Sequence, residues 1–301
     1  MKKKIFILLY LFLAFVLTFF LIDLVFLKED KDRIVIGAKN IAESQIISEM
    51  ISLLIEKNTD LKVVKKYHLE GSFINFNAMK AGDIDIYPEY TGTALLAILK
   101  KRAVDIGDSE QIYDYLKKEF LEKFNIVWLK PLGFKNNYAF MMLKEKAEKL
   151  NIKNISDMKK YTNLIFGFNP EFVSREEFKM FKSVYDFKFK INPKIMDHAL
   201  LYFSLSNGSI DVIDGFTTDG NILYYDVQIL EDDKKAFPTY FCVPLIRKEI
   251  LEKYPYLEDV INKLGGAISD EEMQQMNYLA DYKGEKIQKI AIDFLKKKNL
   301  L

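Results

Sequence analysis

Residues 82–93 read GDIDIYPEYTGT, and residues 208–219 read GSIDVIDGFTTD. Aligned without a gap, the two stretches share a glycine, an isoleucine, an aspartate and a threonine, and the threonine follows Tyr90 in one and Phe216 in the other. Glycine is the residue expected just past the end of a helix, and the apolar alternation after it is typical of a short strand. The chain is therefore expected to contain two units of the same construction.

The repeat extends upstream to two apolar, strand-like runs, IVIGAKN around Gly37 and LIFGFNP around Gly167. In the first unit, apolar residues at helical spacing predict helices over residues 41–57 and around residues 73–80. A strand, two helices and a second strand, occurring twice, are typical of α/β folds with largely parallel sheets. The sequence thus predicts two α/β lobes.

Local features of the repeat lead to more specific expectations. Asn40, followed three residues later by Glu43, is expected to cap the first helix. The alternation in DIDIY predicts a short strand that ends before Pro88. Two acidic pairs are expected to be solvated or to cap helices, namely Asp83 with Asp85 and Asp211 with Asp214.

Tyr90 and Phe216 stand beyond the apolar strands, in turn-rich segments that follow Pro88 and Gly215. Open α/β sheets bind ligands at the carboxyl ends of their strands. If the two lobes face each other, both rings reach opposite walls of one cleft. The alternative is that both are ordinary core aromatics, although a core residue is expected within the strand and not beyond its end.

The composition limits the classes of function. A chain of 301 residues, half of them apolar, is long enough for two units, and a formal charge of +1 gives no reason to expect a nucleic-acid partner. The sequence has two histidines, one cysteine and no zinc, phosphate-loop, dinucleotide or nucleophile-elbow motif, so we expect no enzyme, metal or cofactor. The single Cys242 excludes an internal disulfide and is expected to be a small buried apolar residue.

Residues 1–33 are expected to form a membrane anchor and a linker. Residues 5–22 carry no charge, and a helix needs roughly 20 apolar residues to cross a membrane. Because no small-residue cleavage site follows, an uncleaved signal anchor is favoured over an unusually processed signal peptide or a buried core helix. An exported protein without disulfides is expected to face the periplasm or the exterior of a bacterial cell.

Seven segments follow one another along the chain in a recognisable order: GAKNIAESQIISEM, AGDIDIYPEYTGTALLAIL, PLGFKNNYAF, FGFNPEFVSRE, NGSIDVIDGFTTDG, VQILEDDKKAFPTYFCVPLIRK and ISDEEMQQMNYLAD. Together they resemble the osmoprotectant substrate-binding proteins of ABC importers, which serve the uptake of glycine betaine, carnitine, choline and related quaternary ammonium compounds. The resemblance runs from about residue 34 to residue 301. Its most specific part is the combination of PEYTGT, TTDG and ISDEEMQQMNY.

The resemblance implies an α/β fold of two lobes, the type II periplasmic-binding-protein fold, with a hinge between the lobes. It places lobe 1 in residues 34–134 and 239–301 and lobe 2 in residues 135–238, joined by two crossover strands. It also implies an ABC permease and its ATPase as protein partners. A membrane-anchored sensor, which holds the same ligand and signals through a partner protein, is the alternative function.

In this family, aromatic rings enclose the quaternary ammonium group, which has no N–H to donate and spreads its positive charge over methyl groups. The matching positions in this chain are Tyr90, Tyr138, Phe216 and Tyr240. Phe216 stands where a tyrosine is expected, which keeps the ring face and loses a hydroxyl. Phe241 takes the place of Tyr240 if the alignment shifts by one residue.

Polar positions complete the site that the resemblance implies. Arg175 matches the family's arginine and is the first choice for binding a ligand carboxylate, and Lys39 is the second choice. Asn136 and Thr91 are expected to make further polar contacts. Because Asn136 stands where some relatives have an acidic residue, a zwitterionic betaine or carnitine is favoured over cationic choline.

Overall fold

A computed structural model describes residues 33–102 and 106–301, and the anchor expected at residues 5–22 lies outside them. The described residues form ten strands: β1 Arg33–Lys39, β2 Lys62–Leu69, β3 Ile86–Tyr90, β4 Ile126–Trp128, β5 Tyr138–Leu143, β6 Phe166–Phe168, β7 Lys194–Ile195, β8 Val212–Phe216, β9 Val227–Ile229 and β10 Cys242–Arg247.

The described residues also form twelve α-helices of five or more residues: α1 Ala42–Asn58, α2 Gly71–Ala81, α3 Ser109–Phe124, α4 Lys144–Leu150, α5 Pro170–Ser174, α6 Glu176–Val184, α7 His198–Ser206, α8 Asn221–Tyr225, α9 Lys248–Lys253, α10 Tyr256–Ile261, α11 Asp270–Asp281 and α12 Ile287–Lys297. Among these described helices, none combines the length and the apolar character that a membrane crossing requires.

The strands form two five-stranded sheets of the same topology. One sheet has the order β2-β1-β3-β10-β4, and the other has the order β7-β6-β8-β5-β9. In each sheet the first three strands run parallel and the last two pairings are antiparallel. The two lobes predicted from the repeat are therefore present, each with its own mixed sheet.

The repeated glycine and isoleucine have the same packing role in both lobes. Gly82 and Gly208 adopt positive φ angles of 83° and 76°, at the ends of α2 and α7, where a left-handed residue is required. Two residues later, an isoleucine side chain covers a glycine of the neighbouring strand. A Cβ atom on Gly37 would come within 2.6 Å of Ile84, and one on Gly167 within 2.5 Å of Ile210. Both strand glycines are therefore fixed by close packing.

The repeated aspartate holds the start of the neighbouring parallel strand. The Asp85 carboxylate accepts the Val35 N–H at 2.8 Å, and the Asp211 carboxylate accepts the Ile165 N–H at the same distance. Asp85 is also paired with Arg247 at 2.7 Å. Of the two acidic pairs, Asp83 is exposed as expected, whereas Asp214 is buried. The expectation that the pairs are solvated or cap helices is also wrong for Asp85 and Asp211, because both are buried and hydrogen-bonded to strand backbone. Their charge is tolerated inside the protein because backbone and side-chain donors surround it.

The helices and strands of the first lobe agree in part with the local predictions. The first helix begins and ends one residue later than predicted, and the predicted second helix corresponds to α2. Asn40 does not cap α1, since its side chain bonds Glu70 and His68. The strand predicted at residues 83–87 begins later, at Ile86, and continues through Pro88 to Tyr90, with Pro88 opposite Pro244 of β10. Cys242 is buried and free, as predicted.

The chain passes between the sheets through two adjacent segments, residues 134–137 and residues 238–241. The Asn136 N–H donates to the Tyr240 carbonyl at 3.1 Å, and the Tyr240 N–H donates to the Asn137 side-chain oxygen at 2.7 Å. Each segment leads directly into an antiparallel strand, β5 or β10. The hydrogen bonds tie the crossings together, so residues next to them lie between the lobes. The lobe boundaries themselves stay a prediction.

Candidate functional site

A cavity of about 560 Å³ lies between the two lobes, at the carboxyl ends of the parallel strands. Both sheets contribute to its wall, as expected for a ligand site in α/β lobes that face each other. The wall is formed by Lys39, Asn40, Ile41, Ala42, Glu43, Tyr90, Thr93, Asn136, Tyr138, Glu171, Arg175, His198, Phe216, Thr218, Asp219, Gly220, Asn221, Tyr240, Asn277 and Asp281.

Two of the four predicted rings form a pair in lobe 2. Tyr138 at the start of β5 is directly opposite Phe216 at the end of β8, and their ring centroids are 4.6 Å apart. Phe172 of α5 also packs against Tyr138, with a centroid distance of 5.0 Å. The pairing of the two strands and the Phe172 contact therefore fix both rings at the cavity wall.

Tyr90 is the last residue of β3 and contributes a ring from lobe 1. Its hydroxyl donates to the carboxylate of Glu43, which also accepts the side-chain amides of Asn136 and Asn277 at 2.9 Å. Burial raises the pKa of Tyr90 well above its ordinary value, and the Glu43 carboxylate raises it further. The hydroxyl therefore remains a donor, and Glu43 holds the ring in one orientation.

Tyr240 is the fourth ring and lies on the second crossing segment. Its hydroxyl donates to the buried carboxylate of Glu177 at 2.6 Å. The ring packs so closely over Gly92 that a Cβ atom there would come within 2.0 Å of it. Phe241 does not line the cavity; its N–H donates to the Thr91 hydroxyl at 3.1 Å. The structure thus places Tyr240, and not Phe241, in the wall.

Arg175 lies beside Tyr138 and is held by two carboxylates. Glu177 receives hydrogen bonds from Nε at 3.1 Å and from Nη2 at 3.0 Å, and Glu171 receives one from Nη1 at 2.9 Å. Partial burial disfavours the charge of Arg175, but the hydrogen bonds and charge of Glu177 raise the pKa above its ordinary value. The guanidinium is therefore a fixed positive group at the cavity wall.

Lys39 is the second predicted cation, and it is neutralised within lobe 1. Its ammonium lies 2.6 Å from the buried carboxylate of Glu89 and 4.6 Å from the centroid of the Tyr90 ring. Opposite charge at this distance in a buried place binds both groups firmly. Lys39 therefore packs over the Tyr90 ring. Because it is paired with Glu89, it is less available than Arg175 to bind an anionic group of a ligand.

The structure brings together seven of the eight predicted site residues. The exception is Thr91, which is buried and whose hydroxyl accepts the Phe241 N–H. Thr93, two residues later, lines the cavity instead. Because residues 91–98 are helical, a shift of two positions turns the side chain to another face.

The cavity wall also contains groups that sequence reasoning did not assign to the site. Asp219 follows β8 and accepts the Phe216 N–H at 3.0 Å and the Tyr202 hydroxyl at 2.8 Å. His198, at the first position of α7, is 3.1 Å from the same carboxylate. Burial lowers the pKa of His198, but the Asp219 hydrogen bond and charge outweigh it and raise the pKa overall.

Asn277 and Asp281 of α11 were also missed, although both lie in the quoted ISDEEMQQMNYLAD segment. Glu43 was also missed as a site residue, because its spacing from Asn40 suggested a helix cap. Carboxylates outnumber cations in the wall, with Glu43, Glu171, Asp219 and Asp281 against Lys39 and Arg175. Within residues 33–102 and 106–301, no group of three or more potential metal-binding side chains is present.

Two α/β sheets with an interlobe cavity define the class of two-lobed substrate-binding proteins, and comparison with solved structures agrees. A crystal structure titled as a glycine betaine/carnitine/choline ABC transporter has a TM-score of 0.82 and 36% identity, over 89% of this chain and 99% of that chain. The predicted type II periplasmic-binding-protein fold is thereby confirmed.

The family follows from the sequence comparisons. The profile of the family described as the substrate binding domain of ABC-type glycine betaine transport systems matches residues 32–297. The chain is 42% identical to the carnitine transport binding protein OpuCC of Listeria monocytogenes, over 89% of this chain and 88% of that protein. It is 36% identical to the ergothioneine transport permease/ergothioneine binding protein EgtU of Helicobacter pylori, over 90% of this chain and 48% of that protein.

The chain belongs to the family of substrate-binding domains of ABC-type glycine betaine transport systems. The predicted family is therefore confirmed. Because these proteins bind substrates for transport, the prediction that the chain is not an enzyme is confirmed as well.

Proposed function

We propose that this protein is the extracytoplasmic binding component of an ABC importer and captures a quaternary ammonium osmoprotectant of the glycine betaine, carnitine or choline type. The observation that carries the proposal is the convergence of four aromatic rings, from both lobes and from the crossing segment, on one cavity. These rings are Tyr90, Tyr138, Phe216 and Tyr240.

Aromatic faces suit such a ligand because a quaternary nitrogen offers no N–H to a hydrogen-bond acceptor. Each ring contributes about 0.5–2 kcal/mol when water is excluded from the contact. Four rings therefore supply a large share of the roughly 8 kcal/mol that correspond to a micromolar Kd, and polar contacts supply the rest. Two of these rings already lie next to cations of the protein itself: Lys39 is over the Tyr90 ring, and Arg175 is over the Tyr138 ring.

A ligand carboxylate is proposed to bind Arg175. Two of the three guanidinium nitrogens remain with Glu177, whose side chain is 1% exposed. The third nitrogen bonds Glu171, whose side chain is 67% exposed, and an exposed ion pair of this kind contributes at most about 1 kcal/mol. The ligand carboxylate can therefore displace Glu171 while Glu177 keeps the guanidinium in place.

Capture and release are proposed to follow movement of the lobes about the two crossing segments, with lobe 1 in residues 34–134 and 239–301 and lobe 2 in residues 135–238. A ligand that contacts rings of both lobes binds the closed arrangement more tightly and so drives closure. The closed protein then delivers the ligand to the permease. Uncharged residues 5–22 are proposed to keep the protein on the membrane.

Isothermal titration tests the proposal on the full-length chain, kept in a mild detergent. Glycine betaine, carnitine and choline are titrated beside 3,3-dimethylbutan-1-ol, which has the shape of choline and carries no charge. We expect micromolar binding of at least one ammonium ligand and at least roughly tenfold weaker binding of the neutral alcohol than of choline. Absence of binding to all three ammonium ligands below millimolar concentration contradicts the proposal.

A further inference from the structure

A helix of lobe 1 leads from the first crossing segment to the surface of lobe 2. α11 begins beside that segment, where the Asp270 carboxylate accepts the Lys135 N–H at 2.7 Å. Its 12 residues span about 18 Å at 1.5 Å per residue. The far end of α11 therefore contacts lobe 2 well away from the crossing, at the short helix α8.

We call this contact the tyrosine seam. Its members are Gln274, Asn277, Tyr278 and Tyr282 on the side of α11, and Thr217, Thr218, Gly220, Asn221 and Tyr224 on the side of α8.

The near end of the seam is held by two hydrogen bonds to backbone carbonyls. The Gln274 side-chain amide donates to the Thr217 carbonyl at 2.7 Å, and the Asn277 side-chain amide donates to the Thr218 carbonyl at 2.8 Å. Both carbonyls belong to the turn that follows β8. Because the acceptors are main-chain atoms, these bonds hold the turn itself against α11.

The far end of the seam is a stack of tyrosine rings. Tyr224 of α8 lies on Tyr282, which follows α11 directly, with centroids 4.1 Å apart and 16° between the ring planes. The Tyr282 hydroxyl donates to the Asn221 side-chain oxygen, and the Tyr278 ring stacks on Tyr282 at 5.9 Å. A Cβ atom on Gly220 would come within 2.8 Å of the Tyr278 nitrogen, so a glycine is needed for this close approach. The two sides therefore fit each other in shape and in hydrogen bonding.

The seam joins two surfaces that have separate hydrophobic cores. Met273 and Met276 of α11 belong to a core of lobe 1, whereas Ile222 of α8 belongs to a core of lobe 2. Tyr224 itself is 54% exposed. A small interface of this kind, without a shared core, resembles a transient interface and can open without unfolding of either lobe.

The seam forms one side of the interlobe cavity, but its stacked rings lie outside the cavity wall. The lining residues that the structure describes include Gly220, Asn221 and Asn277, and they do not include Tyr224 or Tyr282. When the lobes separate on this side, the wall parts only if the seam breaks. The stack can therefore influence ligand binding without contact with the ligand.

We propose that the tyrosine seam is a latch between the lobes, which holds a fraction of the ligand-free molecules closed and breaks when the lobes open. The latch raises the affinity for the ligand, because the apparent Kd equals the Kd of the closed arrangement divided by the fraction of molecules that is closed. This effect on affinity rests on the proposed function, whereas the latch itself does not.

Single-molecule FRET on the full-length chain, kept in a mild detergent, tests the latch without ligand. Dyes are attached through Glu56→Cys in lobe 1 and Lys188→Cys in lobe 2, which are exposed positions, while the native Cys242 is buried. We expect Tyr224→Ala to lower the ratio of closed to open molecules roughly threefold or more, because the stacked pair is lost. Tyr224→Phe keeps the ring and is expected to keep this ratio.

The control variant carries its substitution at an exposed tyrosine elsewhere. Tyr256 of α10 is 46% exposed and belongs neither to the seam nor to the described cavity wall, so Tyr256→Ala is expected to leave the FRET distribution unchanged. An unchanged distribution in both Tyr224→Ala and Tyr282→Ala, each shown to fold by thermal melting, overturns the latch. A shift of equal size in Tyr256→Ala overturns it as well, since the effect would not depend on the seam.

Titration calorimetry tests the effect of the latch on affinity. The ligand is the one among glycine betaine, carnitine and choline that binds the unaltered protein most tightly. Its Kd in Tyr224→Ala is expected to rise by the factor by which the closed fraction falls. The double variant Tyr224→Ala/Tyr282→Ala is expected to bind little more weakly than the weaker single variant, because both substitutions remove the same stack. Losses of binding free energy that add up in the double variant contradict the stack as the latch.

The two measurements separate this inference from the proposed function. If no ammonium ligand binds but Tyr224→Ala opens the ligand-free protein, the latch stands and the proposed function is overturned. If ligands bind and the FRET distribution is unchanged in the seam variants, the proposed function stands and the latch is overturned.

Discussion

The guanidinium of Arg175 lies over the ring of Tyr138, 5.3 Å from its centroid, and the buried Glu177 holds it there. Glu177 also accepts the hydroxyl of Tyr240. One carboxylate thus positions a cation and one of the rings, and the cation lies over a second ring. The proposed anion site and the proposed cage are therefore coupled through Glu177, and a change at one is expected to alter the other.

Removal of a ring is expected to weaken ligand binding. The substitution Tyr90→Ala is expected to raise the Kd of a quaternary ammonium ligand by at least roughly tenfold, since the ring is desolvated. Titration calorimetry measures the change. Tyr115→Ala, on α3 and outside the cavity wall, serves as the control and is expected to leave the Kd unchanged. Equal affinities in Tyr90→Ala and the unaltered protein would remove Tyr90 from the cage.

Loss of the guanidinium is expected to discriminate between ligands. The variant Arg175→Gln is combined with Glu177→Gln, so that no buried carboxylate is left unpaired, and it is compared with Glu177→Gln alone, so that any change at Tyr240 is common to both proteins. We expect carnitine and glycine betaine to lose roughly tenfold or more in affinity, while choline, which has no carboxylate, changes much less. Parallel titrations with the three ligands measure this. An equal loss for all of them would argue that Arg175 supports the rings and does not bind the carboxylate.

Gly92 is expected to act on the ligand only through Tyr240. A Cβ atom at residue 92 would overlap the Tyr240 ring, so Gly92→Ala is expected to displace the ring and raise the Kd by roughly tenfold. In a Tyr240→Ala background the same substitution is expected to have little further effect, because the overlap is gone. Titration of the two single variants and the double variant measures the coupling. If the losses of binding free energy in the two single variants add up to the loss in the double variant, Gly92 does not act through Tyr240.

The two aspartates of the repeat give a matched test of stability. Arg247→Ala leaves the Asp85 carboxylate, 6% exposed, without its cation and is expected to lower the free energy of unfolding by roughly 3 kcal/mol. Lys146→Ala removes the equivalent partner of Asp211, but Lys146 is 40% exposed, so we expect about 1 kcal/mol or less. Urea unfolding compares the two variants. A larger loss of unfolding free energy for Lys146→Ala than for Arg247→Ala would contradict the expectation that the more buried cation contributes more to stability.

A buried carboxylate is expected to make stability depend on pH. Burial raises the pKa of Asp214 from 3.8 to about 7, against the opposing effect of the Asn169 N–H hydrogen bond. Because the folded-state pKa is raised, the contribution of this group is fully present below about pH 4. It is lost as the pH rises to about 7.

Asp214→Asn is expected to remove this part of the pH dependence. Unfolding measured at pH 4.5 and pH 8 should show the variant gaining stability relative to the unaltered protein at the higher pH, by at most about 4 kcal/mol. Asp259→Asn, at an exposed position, is the control. Parallel pH profiles of Asp214→Asn and the unaltered protein would contradict an elevated pKa.

The sequence predicts the fold well because the repeat records packing that recurs in both lobes. Gly82 and Gly208 end helices, and Ile84 and Ile210 cover strand glycines, so the similarity follows from backbone geometry. The aspartates were interpreted wrongly for a related reason. Their partners, such as Arg247, lie far along the chain, and a local pattern does not reveal them.

The predicted site residues converge on the cavity because most of them stand at strand ends, which a sequence pattern can locate. The prediction at Thr91 is two positions away from the threonine that lines the cavity, because the sequence pattern does not reveal the helical turn after β3. Glu43 followed Asn40 at capping distance, yet it bonds Tyr90, 47 positions away. Asn277 and Asp281 of α11 were not predicted for the site, because nothing local in their segment indicates which helix face lines the cavity.

A crystal structure of the protein with carnitine bound tests the central claim most directly. We predict that the trimethylammonium nitrogen lies within about 6 Å of the centroids of Tyr90, Tyr138, Phe216 and Tyr240, between the two lobes. A ligand bound outside this cavity, or bound inside it with its nitrogen away from all four rings, would contradict the account.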